Sequence, residues 1–541
     1  MQNQRRLFLG CFVALIATAF GFIVRASILN NWRVQFDLSN EEIGNIGGAG
    51  LFPFAISIIL FSLVIDKIGY GRSMVIAFVC HVSSVAVTLC APMMLAGDGA
   101  DPEAALAGQK AGYWLLYVGT FIYALGNGVV EAVINPVVAT VFDKEKTHWL
   151  NILHAGWPGG LVLGGLLAIG ISYVDASSLP GDIWQWQIAI ILLPMLAYGV
   201  ILAGQKFPVQ ERVAAGVSYM DMLKEFGAGS CYIVCYLLVA GINQIVLVFG
   251  ATALAFEIQL LIALVPTAIF AMYVKSFGRP MFVFLLLIMF LLATTELGTD
   301  NWISDIMRSV LDSPTQGTLF LVYTSAIMFV LRFFAGPIVH KISPLGLLAT
   351  CAAVASVGLV CLSLAGNAVL LLFLAATLYG FGKTFFWPTT LGVVSEQYPK
   401  GGTLMLNAIA GVGMISVGVL GAPGIGILQD KSLDEKLAEE NTAIHQTVMV
   451  EKSGMFGEYK AIDQQKMESL SEDDKTIVDN VVIDAKQGTL SKIAVLPAIM
   501  CVCYVGLIFF FRSRGGYKAE VLAGHAAEDE KFTGGVEGPV E

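Results

Sequence analysis

Two acidic side chains stand where the surrounding sequence is otherwise apolar. Glu131 lies in GNGVVEAVINPVVATVF, part of an apolar run from about Tyr113 to Phe142, and Asn135 follows it by one helical turn. Glu296 lies in TTELGTDNW, with Asp300 four residues on. An acid in such surroundings either pairs with a base as a structural strut or takes up and releases a proton as its environment alternates between dry and wet. Arg25, Arg332 and Lys383 interrupt apolar runs of their own. Two constellations follow from these types. Glu131 and Glu296 with Arg25 between them make a two-acid, proton-handling site. Alternatively, Arg25, Arg332 and Lys383 together hold an anionic substrate such as a sugar acid. Glu257, in a separate apolar segment, reads as structural.

A second set of residues suits a neutral polyol, because amides both donate to and accept from hydroxyls while flat rings cover C–H surfaces. The amides are Asn135, Asn151 and Asn407, and the rings are Trp157, Phe386 and Trp387. Trp157 and Trp387 each precede a proline, Pro158 or Pro388, where a membrane helix opens and lines a cavity. The plainer reading of each amide is a bond between helices, and of each Trp, packing. His154, one turn before Trp157, reads as bonding a carbonyl or as gating protons, and the former is preferred.

The elements that position these residues are dictated by composition. The chain has 541 residues, 56% hydrophobic and 13% charged, with a mean hydropathy of +0.75. This is an all-α polytopic membrane protein by composition, and a carboxylate at mid-membrane costs about 2.5–3.5 kcal/mol, so Glu131 must face the interior. About fourteen apolar stretches are long enough to span a bilayer. They divide the chain into a six-helix bundle over 1–204, a linker with two inserted helices over 205–279, a second six-helix bundle over 280–512 and a tail over 513–541. The segment 429–490 is a polar insert. It carries 14 acids and 7 bases and the tail from Arg512 carries 6 and 4, leaving a nearly neutral body of 21 acids and 20 bases despite the net charge of −10. Such a body excludes a basic nucleic-acid surface. Thirteen Lys and Arg in alternate short loops oppose three (Arg33, Lys110 and Arg308), which predicts an inner-membrane protein with both termini cytoplasmic and the insert outside.

The two sets of six resemble each other. Asn31-Trp32 is matched by Asn301-Trp302, FSLVIDKIG (61–69) by AGPIVHKIS (335–343), GNG before Pro136 by GFG before Pro388, and Leu150-Asn151 by Leu406-Asn407. Internal duplication of this kind is a mark of transporters.

With two six-helix halves and SLVIDKIGYGRS after the second helix, the chain resembles the major facilitator superfamily. Ser62, Asp66, Lys67, Gly69 and Arg72 follow that family's conformational loop, with Ser for the usual first Gly and one extra residue before Arg72. EAVINPVVATVF, LNILHAGWPGG and TTELGTDNWI are similar to the fucose/glucose/galactose proton symporters. The resemblance implies alternating access, proton-coupled sugar symport, a proton-carrying role for Glu131, and a contact of Asp66 that stabilises the outward-facing state. It also implies an Asp on the first helix, where this chain has Arg25-Ala26-Ser27. Arg25 is therefore expected to face Glu131.

Other chemistry finds little support in the sequence. GFGKT (380–384) ends like a phosphate-binding loop, but Thr377 stands where the first Gly is required and no soluble strand precedes it. CYIVC (231–235) and CVC (501–503) have no His or acidic ligand beside them and read as small membrane-packing residues, so no metal, cofactor or enzymatic centre is predicted. The partners implied are a small-molecule substrate, protons and lipid. The rival reading is a non-transporting membrane receptor on the same fold. The insert is expected to be helical, and Ala526–Glu541 disordered.

Overall fold

The computed structural model describes residues 2–38, 40–97, 101–175, 179–248, 254–311, 314–454 and 457–522; the predicted disordered tail lies outside them. With no water in hydrocarbon to satisfy the backbone, the apolar stretches close their hydrogen bonds internally as helices. The first group is α1 (Gln2–Gln35), α2 (Asn40–Gly48), α3 (Phe52–Ile68), α4 (Tyr70–Leu89), α5 (Pro102–Val141), α6 (Lys146–His154), α7 (Gly156–Ser172), α8 (Ile183–Ala189) and α9 (Leu192–Leu202). Then come short α10 (Glu211–Ala214) and the long α11 (Tyr219–Val248) and α12 (Phe256–Val274). The last group is α13 (Pro280–Ala293), α14 (Thr299–Leu311), α15 (Pro314–Arg332), α16 (Ala335–Leu364), α17 (Val369–Lys383), α18 (Phe386–Gln397), α19 (Gly402–Ser416), α20 (Ala422–Glu440), α21 (Thr442–Val448), α22 (Gln464–Glu468), α23 (Glu472–Ile493) and α24 (Val495–Arg512). Among the described residues thirteen spans are long and apolar enough to cross a bilayer, and the fourteenth predicted span corresponds to a shorter apolar helix, Leu319–Arg332.

Small residues set the helices close together. A Cβ on Gly160 of α7 would lie 2.5 Å from the Ile16 carbonyl oxygen of α1, and one on Gly382 of α17 would lie 2.3 Å from the Ala355 nitrogen of α16. Such contacts allow dispersion to hold helices together where lipid supplies no hydrophobic drive. Helix α11 runs past both the first and the last group of helices: Gly241 meets the Phe52 ring, and the Gln244 amide donates to Val419 O at 2.7 Å. On α12, Leu261, Val265, Ile269 and Met272 form an exposed row at helical spacing, an apolar stripe suited to lipid.

Two π-helical turns interrupt the second group, Thr294–Gly298 between α13 and α14 and Val417–Gly421 between α19 and α20. They pack together, since a Cβ on Gly421 would lie 2.7 Å from Thr294 Oγ1. Glu296 sits on the first of them, and π-turns of this kind recur at functional positions.

The expectation of an all-helical insert needs correction. Between α21 and α22 the chain forms an antiparallel pair, β1 (Met449–Gly454) and β2 (Gly457–Ile462), with Met449 opposite Ile462. Met449 and Ala461, on opposing strands, are buried, and Met449 joins a separate small core with Leu437, Val448, Val478 and Val481. Burying an apolar face against α20 and α23 favours pairing over another amphipathic turn. The insert is tied to the bundle by Lys486, which bonds Asp305 at 2.7 Å and Ser309 at 3.2 Å.

The two loops matched in sequence share one backbone conformation. Gly69, between α3 and α4, has φ 84° and ψ 150°, and Ser343, at the corresponding place inside α16, has φ 64° and ψ 162°. Glycine adopts this region freely, whereas a side chain there costs on the order of 1–3 kcal/mol. The Ser343 hydroxyl offsets part of that cost by accepting from Gly346 N at 3.3 Å. Ser343→Gly is therefore expected to raise the thermal unfolding midpoint by about 1 kcal/mol equivalent, and Gly69→Ala to lower it. A lower midpoint for Ser343→Gly would show that the hydroxyl, not the strain, dominates.

Candidate functional site

Proline has no N–H, so each proline within a helix leaves the carbonyl four residues earlier without its usual donor. Pro136 frees Ala132 O, Pro158 frees His154 O and Pro388 frees Thr384 O. All three carbonyls are taken by side chains. Asn407 Nδ2 donates to Ala132 O at 3.0 Å, Arg332 Nη1 to His154 O at 2.5 Å, and Arg332 Nε to Thr384 O at 2.7 Å. The helix breaks between α6 and α7 and between α17 and α18 therefore each expose an acceptor to the same guanidinium. Two of the three bonds join the first group of helices to the last.

The acids are attached to this frame. Arg332 Nη2 donates to Glu296 Oε1 at 3.0 Å, and Trp387 N donates to Glu296 Oε2 at 3.3 Å. On the other side, Asn135 Nδ2 donates to Glu131 Oε2 at 2.7 Å, and its Oδ1 lies 2.9 Å from His154 Nε2. A continuous path thus runs from Glu131 through Asn135, His154 and Arg332 to Glu296. Glu131, His154, Trp157, Glu296, Arg332 and Trp387 line one small cavity of about 20 Å³. That is room for about one water molecule and no organic substrate. Among the described residues Glu131 has no cationic partner, whereas Glu296 has Arg332.

The remaining predicted residues are distributed around this centre. Asn151 Nδ2 bonds Thr147 O and Thr389 Oγ1 at 2.8 and 3.2 Å, another link between the two groups. Lys383 is buried, ion-paired with Asp300, and lies 5.1 Å from the Tyr379 ring centroid. Phe386 is buried beside Trp387 in chain order at the start of α18. Glu257 stands in the first turn of α12.

Arg25 is not where the sequence reading put it. Its guanidinium bonds Ser84 at 2.6 Å, Thr88 at 3.2 Å and Thr120 at 3.4 Å, and lies 4.9 Å from the Tyr123 ring. The register of α5 explains the displacement: Thr120 and Tyr123 face Arg25, and Glu131 lies two turns further along, about 12 Å at 1.5 Å per residue. Arg25 therefore neither faces Glu131 nor lies between the two acids.

Access is unequal at the two faces. On the face carrying Asn31, Asn301 and Arg308, a vestibule of about 1000 Å³ opens between α1, α7, α14 and α15. The opposite face is closed by polar contacts across the groups. Thr147 N and Oγ1 both donate to Glu396, at 3.2 and 2.5 Å, and Lys146 donates to Ser395 O at 3.4 Å while pairing with Glu211 of α10 at 2.7 Å. Tyr517 adds a hydroxyl to Glu396 at 2.7 Å; burial and the Glu396 carboxylate push this phenol well above its ordinary range, so it remains a donor. Asp66 is ion-paired with Arg212, whose side chain packs against Gly402 at the start of α19. Lys67 and Arg72 are exposed. Sequence reasoning missed Arg212, Thr147 and Glu396, which stand in loops or at helix ends with no motif to mark them.

Residues 7–423 match the profile of the Major Facilitator Superfamily. A gentisate transporter of Corynebacterium glutamicum is 23% identical over 202 residues, 37% of this chain and 40% of that protein's length. Among solved structures, the proton:xylose symporter XylE covers 93% of this chain and 96% of its own at 14% identity, with a TM-score of 0.58. The E. coli fucose:proton symporter FucP covers 91% and 98% at 14% identity, with a TM-score of 0.53. The human organic anion transporter MFSD10 covers 93% and 99% at 12% identity, with a TM-score of 0.55. At these identities the structural likeness is one of fold.

The closed face yields a test. Asp66→Asn removes the charge that holds Arg212, and Glu396→Gln weakens the acceptor of Thr147 and Tyr517. Each is expected to speed maleimide labelling of a Ser395→Cys reporter, buried behind this seal, several-fold in an otherwise cysteine-free chain. An unchanged labelling rate in both would show that the polar contacts do not hold the face shut.

Proposed function

Because the chain belongs to the major facilitator superfamily, we propose that it is a proton-coupled secondary symporter of a small organic solute. In this reading the bundles 1–204 and 280–512 rock about the central frame. Helices α11 and α12 accompany them from the side, and the closed face is cytoplasmic, as are both termini. One observation carries the coupling: two buried carboxylates, one from each bundle, line a single cavity, and only one of them has a cation beside it. Glu131 is the proton carrier in this assignment, since in a dry site its charge is removed only by protonation. Glu296 is the fixed acid that positions Arg332. Access of water from either face then decides when Glu131 loads and releases.

Two substrate classes are proposed. A neutral sugar, the class expected from sequence, is supported by Trp157 and Trp387 on the cavity wall beside the acids. Its amides would have to exchange present partners, because Asn135, Asn151 and Asn407 all bond protein groups. An organic anion is supported by a buried guanidinium with no acid beside it among the described residues, Arg25, and gentisate, the solute named for the matched relative, is itself a carboxylate.

Glu131→Gln keeps the shape and hydrogen-bonding capacity of the side chain and loses the titrating group. In proteoliposomes it is expected to abolish accumulation driven by an imposed pH gradient while substrate exchange at equal pH persists. Full gradient-driven accumulation by Glu131→Gln would overturn the assignment of the proton to this residue.

A further inference from the structure

A charged group taken out of water is retained only where something compensates it. Arg25 is 5% exposed, forms no ion pair among the described residues, and is held by three hydroxyls and one ring. Its Nε–H has no partner. Seven residues along the same helix, the indole N–H of fully buried Trp32 is also unpaired. Both side chains line a chamber of about 180 Å³, which shares Phe22, Ala26, Leu29 and Asn301 with the open vestibule. The two residues that carry these unsatisfied donors, one of them cationic, thus line one space that adjoins the vestibule.

We propose that this chamber is a substrate subsite for a small monocarboxylate with a flat apolar body, the carboxylate meeting Arg25 and the body lying among Phe22, Leu29, Ile46 and Tyr123. The inference rests on the transport reading above and names the substrate class for it. The anion supplies the charge that the hydroxyls of Ser84, Thr88 and Thr120 do not, and a guanidinium matches a carboxylate in shape as well as charge. The walls argue against a polyol. The hydroxyl of Thr120 already donates to Leu116 O, and that of Tyr123 faces Ala17 O and Thr18 O at 2.9 and 2.6 Å, so a sugar's several hydroxyls would find few open partners. Asn301, from the second bundle, is the remaining amide on the wall. A site bordered by both bundles is disturbed whenever they rock, as a transported ligand's site must be.

The test is equilibrium binding of benzoate and of its neutral counterpart benzamide to the full-length protein in detergent, followed by isothermal titration calorimetry without any ion gradient. Wild type is expected to bind benzoate at least tenfold more tightly than benzamide. Arg25→Met is expected to erase that preference, and Trp32→Phe, which removes one N–H and keeps a ring, to weaken benzoate several-fold. The binding readout uses no proton gradient, so a failure of the proton assignment leaves this result standing. Binding of neither probe by wild type, equal binding of both, or an undiminished benzoate preference in Arg25→Met would overturn the proposal. The wild-type comparison decides even where a variant does not fold.

Discussion

Three carbonyls without backbone donors organise the centre of this protein. In a membrane interior an unsatisfied carbonyl is expensive, so a proline in a spanning helix is tolerated only where a neighbouring group repairs the gap. Here the repairs at Ala132 and His154 come from the other half of the molecule, through Asn407 and Arg332. The prolines therefore set which side chains must meet across the interface. Arg332 in turn determines where Glu296 is held, and His154, whose carbonyl it takes, determines where Asn135 and Glu131 are held.

Bonds of this kind suit a moving interface. Hydrogen bonds to charged groups contribute about 1.5–3 kcal/mol each when made, and leaving a buried partner bare costs comparably. A carrier that alternates between two shapes has to exchange one such set for another of nearly equal strength, because a large surplus in either state would trap it. The acceptors at the centre are backbone carbonyls at helix breaks, which water can satisfy as soon as the interface opens. The seal at Glu396, Thr147 and Lys146 is built likewise from groups that lie at helix ends and regain water on separation.

Much of this was legible in the sequence because membrane solvation leaves few options. Apolar length gave the spans. The buried acids, amides and ring–proline pairs were visible as polar types in apolar runs. Their mutual geometry was not, since it depends on helix register. Arg25 and Glu131 are both deep, but α5 presents Thr120 and Tyr123, not Glu131, to Arg25. The π-turn under Glu296 and the hairpin in the insert were equally hidden, the first because one extra residue per turn leaves no compositional trace. The second was hidden because short strands that mix Lys and Glu with a few apolar residues have the same composition as a polar helix.

In the proposed symport, the separation of Arg25 from Glu131 constrains how solute and proton would be coupled. Direct charge exchange between a bound carboxylate and Glu131 is ruled out by two turns of α5 and by a layer of rings: Phe22 lies 6.0 Å from Trp157, and Trp157 lies 6.4 Å from Phe54, centroid to centroid. Phe22 borders the chamber, while Trp157 and Phe54 border the acid cavity. On the anion reading, the solute neutralises Arg25 on one side of this layer and the proton neutralises Glu131 on the other. Each removes one buried charge from the first bundle, and the bundle rocks at low cost only when both are gone. Coupling of that kind needs no contact between the two ligands, only a shared rigid element, and α1 with α5 supplies it.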